Sequence, residues 1–382
     1  MKNSYFLSQP HQPFFVLAFI NAVIFMLLFM LSYKGVLPFT VDVVNFHAFG
    51  LIYLFFTPAF FAFLFTTFPR FLSTPVVLKS LYIKIFILYL ISSVLFVLGA
   101  IFSPTVYQIG MIVAGLGFLY AYKTLFDIYK KSTVVNKHDT FWILVGASFG
   151  IVGITSFIVT PFSTFSIQVS VYLYLFVLAF SVAQRMIPFF SQCRFDKEKN
   201  FVKYVVILLG LHVLFELIYP NSSFIVDIIL ALYVAKELKR WQLPFPNKNA
   251  MLSILHIALF WIPLAFLLSS LSNAMELFFD KSFLALDIHS LMLGFLLSVL
   301  IGFGTRVTLG HSGNMMFATK LTKFIFIWTQ VVVLVRVLVS VVASFGMNYM
   351  VLFDISVTFW LVLFIIWSWQ FLRVLTHGKK LN

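Results

Sequence analysis

The residues of this chain best suited to carry chemistry are its eight histidines, namely His11, His47, His138, His212, His256, His289, His311 and His377. His47 and His289 fall just inside the same end of two predicted hydrophobic spans, at depths of about 5 and 7 Å for a rise of 1.5 Å per residue. Two imidazoles at one depth can ligate the two faces of a haem, or bind copper with a third ligand. Hydrogen bonding of each ring to neighbouring backbone is the alternative interpretation.

A second set of basic side chains falls toward the opposite end of the predicted spans and comprises His11, Arg185, His256, Arg306 and His311. The glycines around His311, in TRVTLGHSG, allow tight turns and close backbone approach. One interpretation is a pocket in which His256 and His311 bind haem or metal and the arginines lie at its rim. The alternative interpretation is that these residues simply form the positively charged edge of the loops.

Ionisable residues inside a membrane span are costly, so each of them suggests a partner or a function. Arg336 lies within the eleventh predicted span, and we expect it to pair with Asp354 or with the propionate of a bound haem. His212 and Glu216 stand four residues apart on one face of the seventh span. This spacing predicts a simple side-chain pair, with a proton path as the alternative.

Three further residues are predicted to have no role in a site. His138 and His377 lie in charged loop or tail segments, where solvation is the simplest expectation. Cys193 is the only cysteine, so an internal disulfide and a thiolate metal cluster are both excluded.

Transmembrane helices must position these residues. The chain of 382 residues is 62% hydrophobic and 10% charged, whereas a soluble domain has about 25% charged residues. The bilayer requires each span to satisfy its own backbone, which predicts an all-α polytopic bundle of helices of about 20 residues each. The predicted spans lie near residues 14–32, 46–67, 82–102, 105–126, 141–160, 167–185, 201–219, 222–239, 251–270, 285–305, 322–345 and 349–372.

The positive charges lie almost entirely on one side of these spans. Of 26 Lys and Arg residues, only Lys34 and Lys281 fall in loops on the other side, and Arg336 lies within a span. Positive loops stay in the cytoplasm, which predicts that residues 1–382 form a single transmembrane domain of about twelve helices with both termini cytoplasmic. The net charge of +14 is then an orientation signal that also attracts anionic lipid. Nucleic acid is not an expected partner, because no basic soluble domain exists to bind it.

No internal repeat is evident in the sequence. The segment 186–200 divides the predicted spans six and six, as many transporters are divided. A twelve-helix secondary transporter is therefore an alternative function, although the acidic-basic loop motif of the major facilitator class does not follow the second span.

Four segments resemble the blocks of the NnrS family in order, from about Pro10 to about Met316. They are HAFGLIYLFFTPAFFAFLFTTFPRF (47–71), QRMIPFF (184–190), LHIALFWIPLAFLL (255–268) and HSLMLGFLLSVLIGFGTRVTLGHSG (289–313). The last is the most specific. The resemblance implies a bacterial inner-membrane protein of twelve spans that contains haem and copper and protects against nitric oxide and nitrosative stress.

The resemblance also assigns positions. The residues that match the family's blocks are His47, Arg185, Pro188, His256, His289, Arg306, Gly310, His311 and Gly313. Where the family continues from its first histidine to a second histidine and a glutamate, this chain has Phe49 and Gly50. Because phenylalanine cannot ligate a metal, haem (b-type) is favoured over copper. A more distant similarity of layout links His47 and His289 to the haem histidines of the haem-copper oxidases, which also lie on the second and tenth helices.

These interpretations predict a haem-binding inner-membrane protein of the nitric oxide response. Nitric oxide is the expected small-molecule ligand, and electrons would come from a donor that no motif identifies. Two alternatives stay open: the secondary transporter, and an accessory protein that delivers haem or metal to a membrane metalloenzyme.

Overall fold

Residues 5–193 and 198–381 are described in a computed structural model of the chain. Lys2, Arg194 and Lys197, which belong to the predicted cytoplasmic charges, lie outside these ranges. The described residues form helices joined by short loops and include no strand. The predicted all-α class is confirmed.

Twelve long helices among the described residues correspond one to one with the predicted spans. They are α1 (His11–Tyr33), α2 (Val43–Phe71), α3 (Lys79–Phe102), α4 (Pro104–Lys131), α5 (His138–Val159), α6 (Thr164–Phe190), α7 (Phe201–Ile218), α8 (Phe224–Arg240), α9 (Ala250–Phe279), α10 (Leu286–His311), α11 (Lys320–Ser344) and α12 (Met350–His377). All except α8 are long and apolar enough to cross a membrane. The 17 residues of α8 extend about 26 Å at 1.5 Å per residue, slightly less than a hydrocarbon core. The chain is therefore a multi-pass membrane protein.

Polar side chains begin several of these helices, because the first amide groups of a helix have no partner within it. The Asp42 carboxylate accepts a hydrogen bond from the Asn45 amide at 2.6 Å at the start of α2. The Ser163 hydroxyl accepts one from the Ser166 amide at 3.1 Å at the start of α6. These caps fix where the two helices begin.

Helices α2, α6 and α10 each contain a π-helical segment, in which backbone hydrogen bonds join residues five apart. The segments are Gly50–Phe56, Val169–Phe176 and Ser290–Leu297. In an 18-residue apolar stretch of each of these three helices, 83–89% of the residues are buried, whereas the figure for the other candidate spans is 33–56%. The sequence predicts no repeat, yet this backbone feature recurs at every fourth helix. The three segments share little beyond apolar character, so comparison of their residues does not reveal it.

The described residues divide into two compact units. Unit 1 comprises Met1–Ser170, Gly304–Met316 and Phe364–Asn382, and unit 2 comprises Val171–Phe303 and Phe317–Leu363. Phenylalanine fills the interior of both. In unit 1 the rings of Phe46 and Phe96 stack with centroids 4.9 Å apart. In unit 2 Phe176 contacts Phe295 at 5.4 Å.

Candidate functional site

In unit 2, His289 lies in the first turn of α10, one residue before the π segment Ser290–Leu297. Its Nδ1 atom is 2.8 Å from the carbonyl oxygen of Ala285. The same Nδ1 atom is 3.1 Å from Nη2 of Arg336 on α11. The structure thus brings together two side chains that the sequence analysis singled out separately.

The two contacts of His289 Nδ1 require different tautomers of the ring. A carbonyl oxygen can only accept a hydrogen bond and a guanidinium can only donate one, so a single Nδ1 atom cannot satisfy both. In the tautomer with the proton on Nδ1, the ring donates to the Ala285 carbonyl, which is the shorter of the two contacts. The lone pair then resides on Nε2, as in histidines that ligate a metal through that atom.

Arg336 has hydrogen bonds apart from its contact with His289. Nη1 donates to the Ser340 hydroxyl at 2.6 Å, and Nη2 donates to the carbonyl oxygen of Leu284 at 2.9 Å. Its guanidinium therefore joins α11 to the segment that precedes α10. The predicted partner Asp354 lies on α12, and pairing with it or with a haem propionate stays a prediction.

In unit 1, His47 lies on α2, three residues before the π segment Gly50–Phe56. Its ring contacts that of Phe29 on α1, with centroids 4.2 Å apart. The predicted outer histidines thus occupy similar places along their helices, each just before a π segment. Because they belong to different units, their ligation of one haem stays a prediction.

The two positions at which this chain departs from the family's His-Ala-His-Glu block are filled by aromatic packing. Phe49 is fully buried and stacks on Phe96 at 5.3 Å. A Cβ atom at Gly50 would lie 3.1 Å from Phe25 and 3.2 Å from Phe96. A glutamate at position 50 would therefore require these rings to move, and the packing leaves no polar ligand at either position.

The predicted inner set is divided between the two units. In unit 1, the rings of His11 and His311 lie 4.9 Å apart at 46°, and Arg306 is half-buried on the same helix as His311. The His11 side chain is buried, and its Nδ1 atom has no hydrogen-bond partner among the described residues. The pairing of His11 with His311 places in contact two residues that the sequence analysis only grouped.

The other members of the inner set lie in unit 2. His256 is fully buried on α9, and its Nε2 atom is 2.7 Å from the Ser191 hydroxyl. Arg185 is half-buried on α6. Sequence reasoning missed Ser191, although it directly follows the QRMIPFF segment. Its position next to a matched block was the available signal.

A metal site formed by side chains alone is not found in the part of the chain that the structure describes. Within residues 5–193 and 198–381, no three or more His, Cys, Asp or Glu residues are grouped so that they could hold a metal ion. The histidine contacts described above involve one or two imidazoles.

His212 pairs with Asp227, a partner that the sequence analysis did not predict. His212 Nδ1 lies 2.6 Å from Asp227 Oδ1 on α8, and both side chains are fully buried. Glu216 instead accepts hydrogen bonds from the backbone amides of Asn221 and Ser223. The turn between α7 and α8 brings Asp227 back beside His212, a contact that helix spacing alone does not contain.

The residues predicted to lie outside any site are at the surface or near it. His138 is exposed and accepts a hydrogen bond from the Trp142 indole at 3.2 Å. His377 is exposed at the end of α12. Cys193 is half-buried after α6, and burial raises the pKa of its thiol.

These features define a class: a multi-pass helical membrane protein with histidines beside the π segments of its most buried helices. The NnrS family model, described as NnrS protein, matches residues 5–379. The chain belongs to that family. The predicted extent of the resemblance ended near Met316, whereas the match continues through α11 and α12. No curated protein matches the chain.

Proposed function

We propose that this chain is a haem-binding protein of the bacterial inner membrane that acts in the response to nitric oxide. Membership of the NnrS family supports the proposed role in general but does not indicate which residues carry it. The observation that supports particular residues is the 2.8 Å contact between His289 Nδ1 and the Ala285 carbonyl oxygen, because an imidazole that donates through Nδ1 carries its lone pair on Nε2.

The residues around His289 fit a haem. An imidazole fixed through Nδ1 could hold haem iron, and Arg336, beside His289, would be a cation for a propionate to pair with. His47, His256 and His311 are the further candidate ligands, with Arg185 and Arg306 as candidate partners of the propionates. When bound, haem iron would supply a coordination position for nitric oxide, a small apolar gas that concentrates in lipid.

Copper does not fit the positions at which this chain departs from the family. Phe49 has no donor atom, and a side chain at Gly50 would meet Phe25 and Phe96. We therefore propose haem alone as the cofactor of this chain. Anionic lipid is the expected surrounding, given the net charge of +14.

The test is an optical spectrum of the full-length protein purified from haem-replete cells, in the oxidised and reduced states and with nitric oxide added. His289→Ala is compared with His47→Ala, and His138→Ala is the matched control because His138 is exposed. We expect a haem spectrum that shifts with nitric oxide, is lost or becomes five-coordinate in His289→Ala, and is unchanged in His138→Ala.

Other outcomes redirect or reject the proposal. A spectrum unchanged in both His289→Ala and His47→Ala would move the ligands to His256 and His311. Weak, exchangeable haem without a response to nitric oxide would favour an accessory protein that delivers haem. Absence of haem from the wild-type protein would reject the proposal and favour a secondary transporter.

A further inference from the structure

Unit 1 buries three polar side chains whose hydrogen-bonding atoms have no partner among the described residues. The atoms are Nδ1 of His11, Nε2 of Gln12 and Oγ1 of Thr308, and each of these residues is at most 2% exposed. A buried polar atom without a partner lowers the stability of a protein, so each one needs an explanation. A ligand that supplies the partners is such an explanation if the three atoms lie at one place.

The three residues lie where the start of α1 meets the end of α10. The rings of His11 and His311 are 4.9 Å apart, and a Cβ atom at Gly304 would lie 3.7 Å from the Phe15 ring. Positions 304, 308 and 311 are spaced by four and three residues, so they share one face of α10. Thr308 therefore lies on the face of α10 that meets His11 and Phe15. Gln12 directly follows His11 and is three residues before Phe15, which places it on the same side of α1.

The amide group of Gln12 shows which kind of partner it needs. Its Oε1 atom accepts hydrogen bonds from the backbone amide of Gln9 at 2.9 Å and from the Ser8 hydroxyl at 3.1 Å. Because a backbone amide can only donate, the oxygen of the side chain must face Gln9 and the nitrogen must face the other way. Nε2 can only donate, so its partner must be a hydrogen-bond acceptor.

Positive charges lie beside the contact between α1 and α10. Arg70, in the last turn of α2, acts electrostatically on the His311 ring. The Lys380 ammonium donates hydrogen bonds to the carbonyl oxygens of Ser312 at 2.6 Å and Gly313 at 2.7 Å, directly after His311. The N-terminus of α1 adds the partial positive charge of a helix dipole. An acceptor that is also an anion would be attracted by these charges as well as by the donors.

The side-chain carboxylates of unit 1 have contacts elsewhere. Its sequence contains three of them, and their contacts are with the Asn45 amide for Asp42, with Lys123 for Asp127 and with His138 for Asp139. None of the three lies on α1 or α10. An anion from outside the chain is therefore the acceptor that suits this contact.

We propose that the contact between α1 and α10 in unit 1 binds a phosphate group or an oxyanion of similar size. Gln12, Thr308 and His11 donate hydrogen bonds to its oxygens, and Arg70 and Lys380 contribute positive charge. A neutral imidazole can donate through one nitrogen, so binding needs no change in the protonation of His11. The phosphate is either inorganic phosphate or the headgroup of a lipid. The proposal uses no residue of unit 2 and does not rest on the proposed function.

The test measures binding of radiolabelled inorganic phosphate by equilibrium dialysis. The full-length protein is purified in a detergent without phosphate groups and kept in a phosphate-free buffer. We expect saturable binding that is weakened about tenfold or more in Gln12→Leu and in Thr308→Val, because each removes one donor to an anion. Thr124→Val is the matched control, since the Thr124 hydroxyl donates to the Tyr120 carbonyl oxygen within α4 at 2.9 Å. It should bind phosphate as wild type does.

A second arm separates the two sources of phosphate. It uses a short-chain phosphatidic acid in the same detergent. If this lipid binds and inorganic phosphate does not, with the same sensitivity to Gln12→Leu, the headgroup of a lipid is the ligand. If inorganic phosphate binds with that sensitivity, the free anion is sufficient.

Gln12→Glu tests the site without removing the side chain. The variant keeps an oxygen for the Gln9 amide and places a carboxylate where Nε2 was, so the chain itself supplies the anion. We expect it to bind neither probe and, without phosphate, to unfold at a higher temperature than wild type. A variant that fails to fold could not give this result.

Four results would overturn the proposal. The first is that neither probe binds to the wild-type protein. The second is that Gln12→Leu and Thr308→Val bind the probes as tightly as wild type, and the third is an equal weakening in Thr124→Val. The fourth is unchanged binding in Gln12→Glu, which decides the question if Gln12→Leu does not fold.

Discussion

The hydroxyl of Tyr53 lies 2.6 Å from the hydroxyl of Ser170 inside unit 1, and this hydrogen bond joins the π segments of α2 and α6. Gly153 on α5 makes the contact possible, because a Cβ atom there would overlap both hydroxyl oxygens. Two irregular segments are therefore held together at a point where a third helix has no side chain.

Gly153→Ala should lower the stability of the protein. The added methyl group overlaps two buried oxygens, and overpacking of this kind costs about 1–3 kcal/mol. Thermal unfolding of the purified protein measures the effect. Gly210→Ala is the control, since nothing lies within 4 Å of its added Cβ atom, and it should be neutral or slightly stabilising. Tyr53→Phe should partly restore Gly153→Ala. A Gly153→Ala protein as stable as the Gly210→Ala protein would contradict the described contact.

The positions of the helices could be predicted from the sequence because the bilayer requires long apolar segments. The span predicted at 46–67, for example, is observed as Val43–Phe71. The extra residues at its two ends include Asn45, Pro69 and Arg70, which lower the hydropathy there. The π segments could not be predicted, since GLIYLFF and SLMLGFLL would suit an ordinary helix equally well.

The candidate site was predictable only in part. Depth along the helices indicated His47 and His289. Arg336 was indicated separately, as a charged residue inside a predicted span. The contact between Arg336 and His289 depends on how α10 and α11 pack, which the sequence does not state. The same limit explains why Asp227 was not predicted as a partner of His212, because spacing within a helix indicates Glu216 whereas the next helix supplies Asp227.

Arg336→Lys should destabilise unit 2 even though the charge is kept. The guanidinium donates to Ser340 through one nitrogen and to Leu284 through another, and an ammonium on a flexible stem does not reproduce this fork. Loss of one hydrogen bond from a charged donor costs about 1.5–3 kcal/mol. Thermal unfolding compares Arg336→Lys with Ser340→Ala, which removes one contact and should have the smaller effect. Equal stability of Arg336→Lys and wild type would show that the fork is not needed.

Cys193 should react slowly with alkylating reagents at neutral pH. Burial raises the pKa of its thiol, and only the thiolate is a nucleophile. At a given pH below that raised pKa, less thiolate is present than for an unperturbed cysteine, so the rate should keep increasing to a higher pH. As the only cysteine, it gives a single labelling signal by mass spectrometry. Denatured protein is the control, and an identical pH profile for the folded and denatured protein would exclude the effect of burial.

Replacing both members of the pair formed by His212 and Asp227 should cost less than the sum of the two single replacements. His212→Leu leaves a buried carboxylate without its imidazole, and Asp227→Leu leaves a buried imidazole without its acceptor. Each should cost about 3–5 kcal/mol, whereas an apolar pair of similar volume is often neutral.

A double-mutant cycle with thermal or denaturant unfolding measures the coupling between the two residues. The exposed pair of Lys123 and Asp127 is the control, for which the coupling should be about 0.5 kcal/mol or less. If the two leucine replacements were additive, the buried contact would not be an ion pair. If instead the double variant were as stable as wild type, retention of the pair in this chain would require a use other than stability.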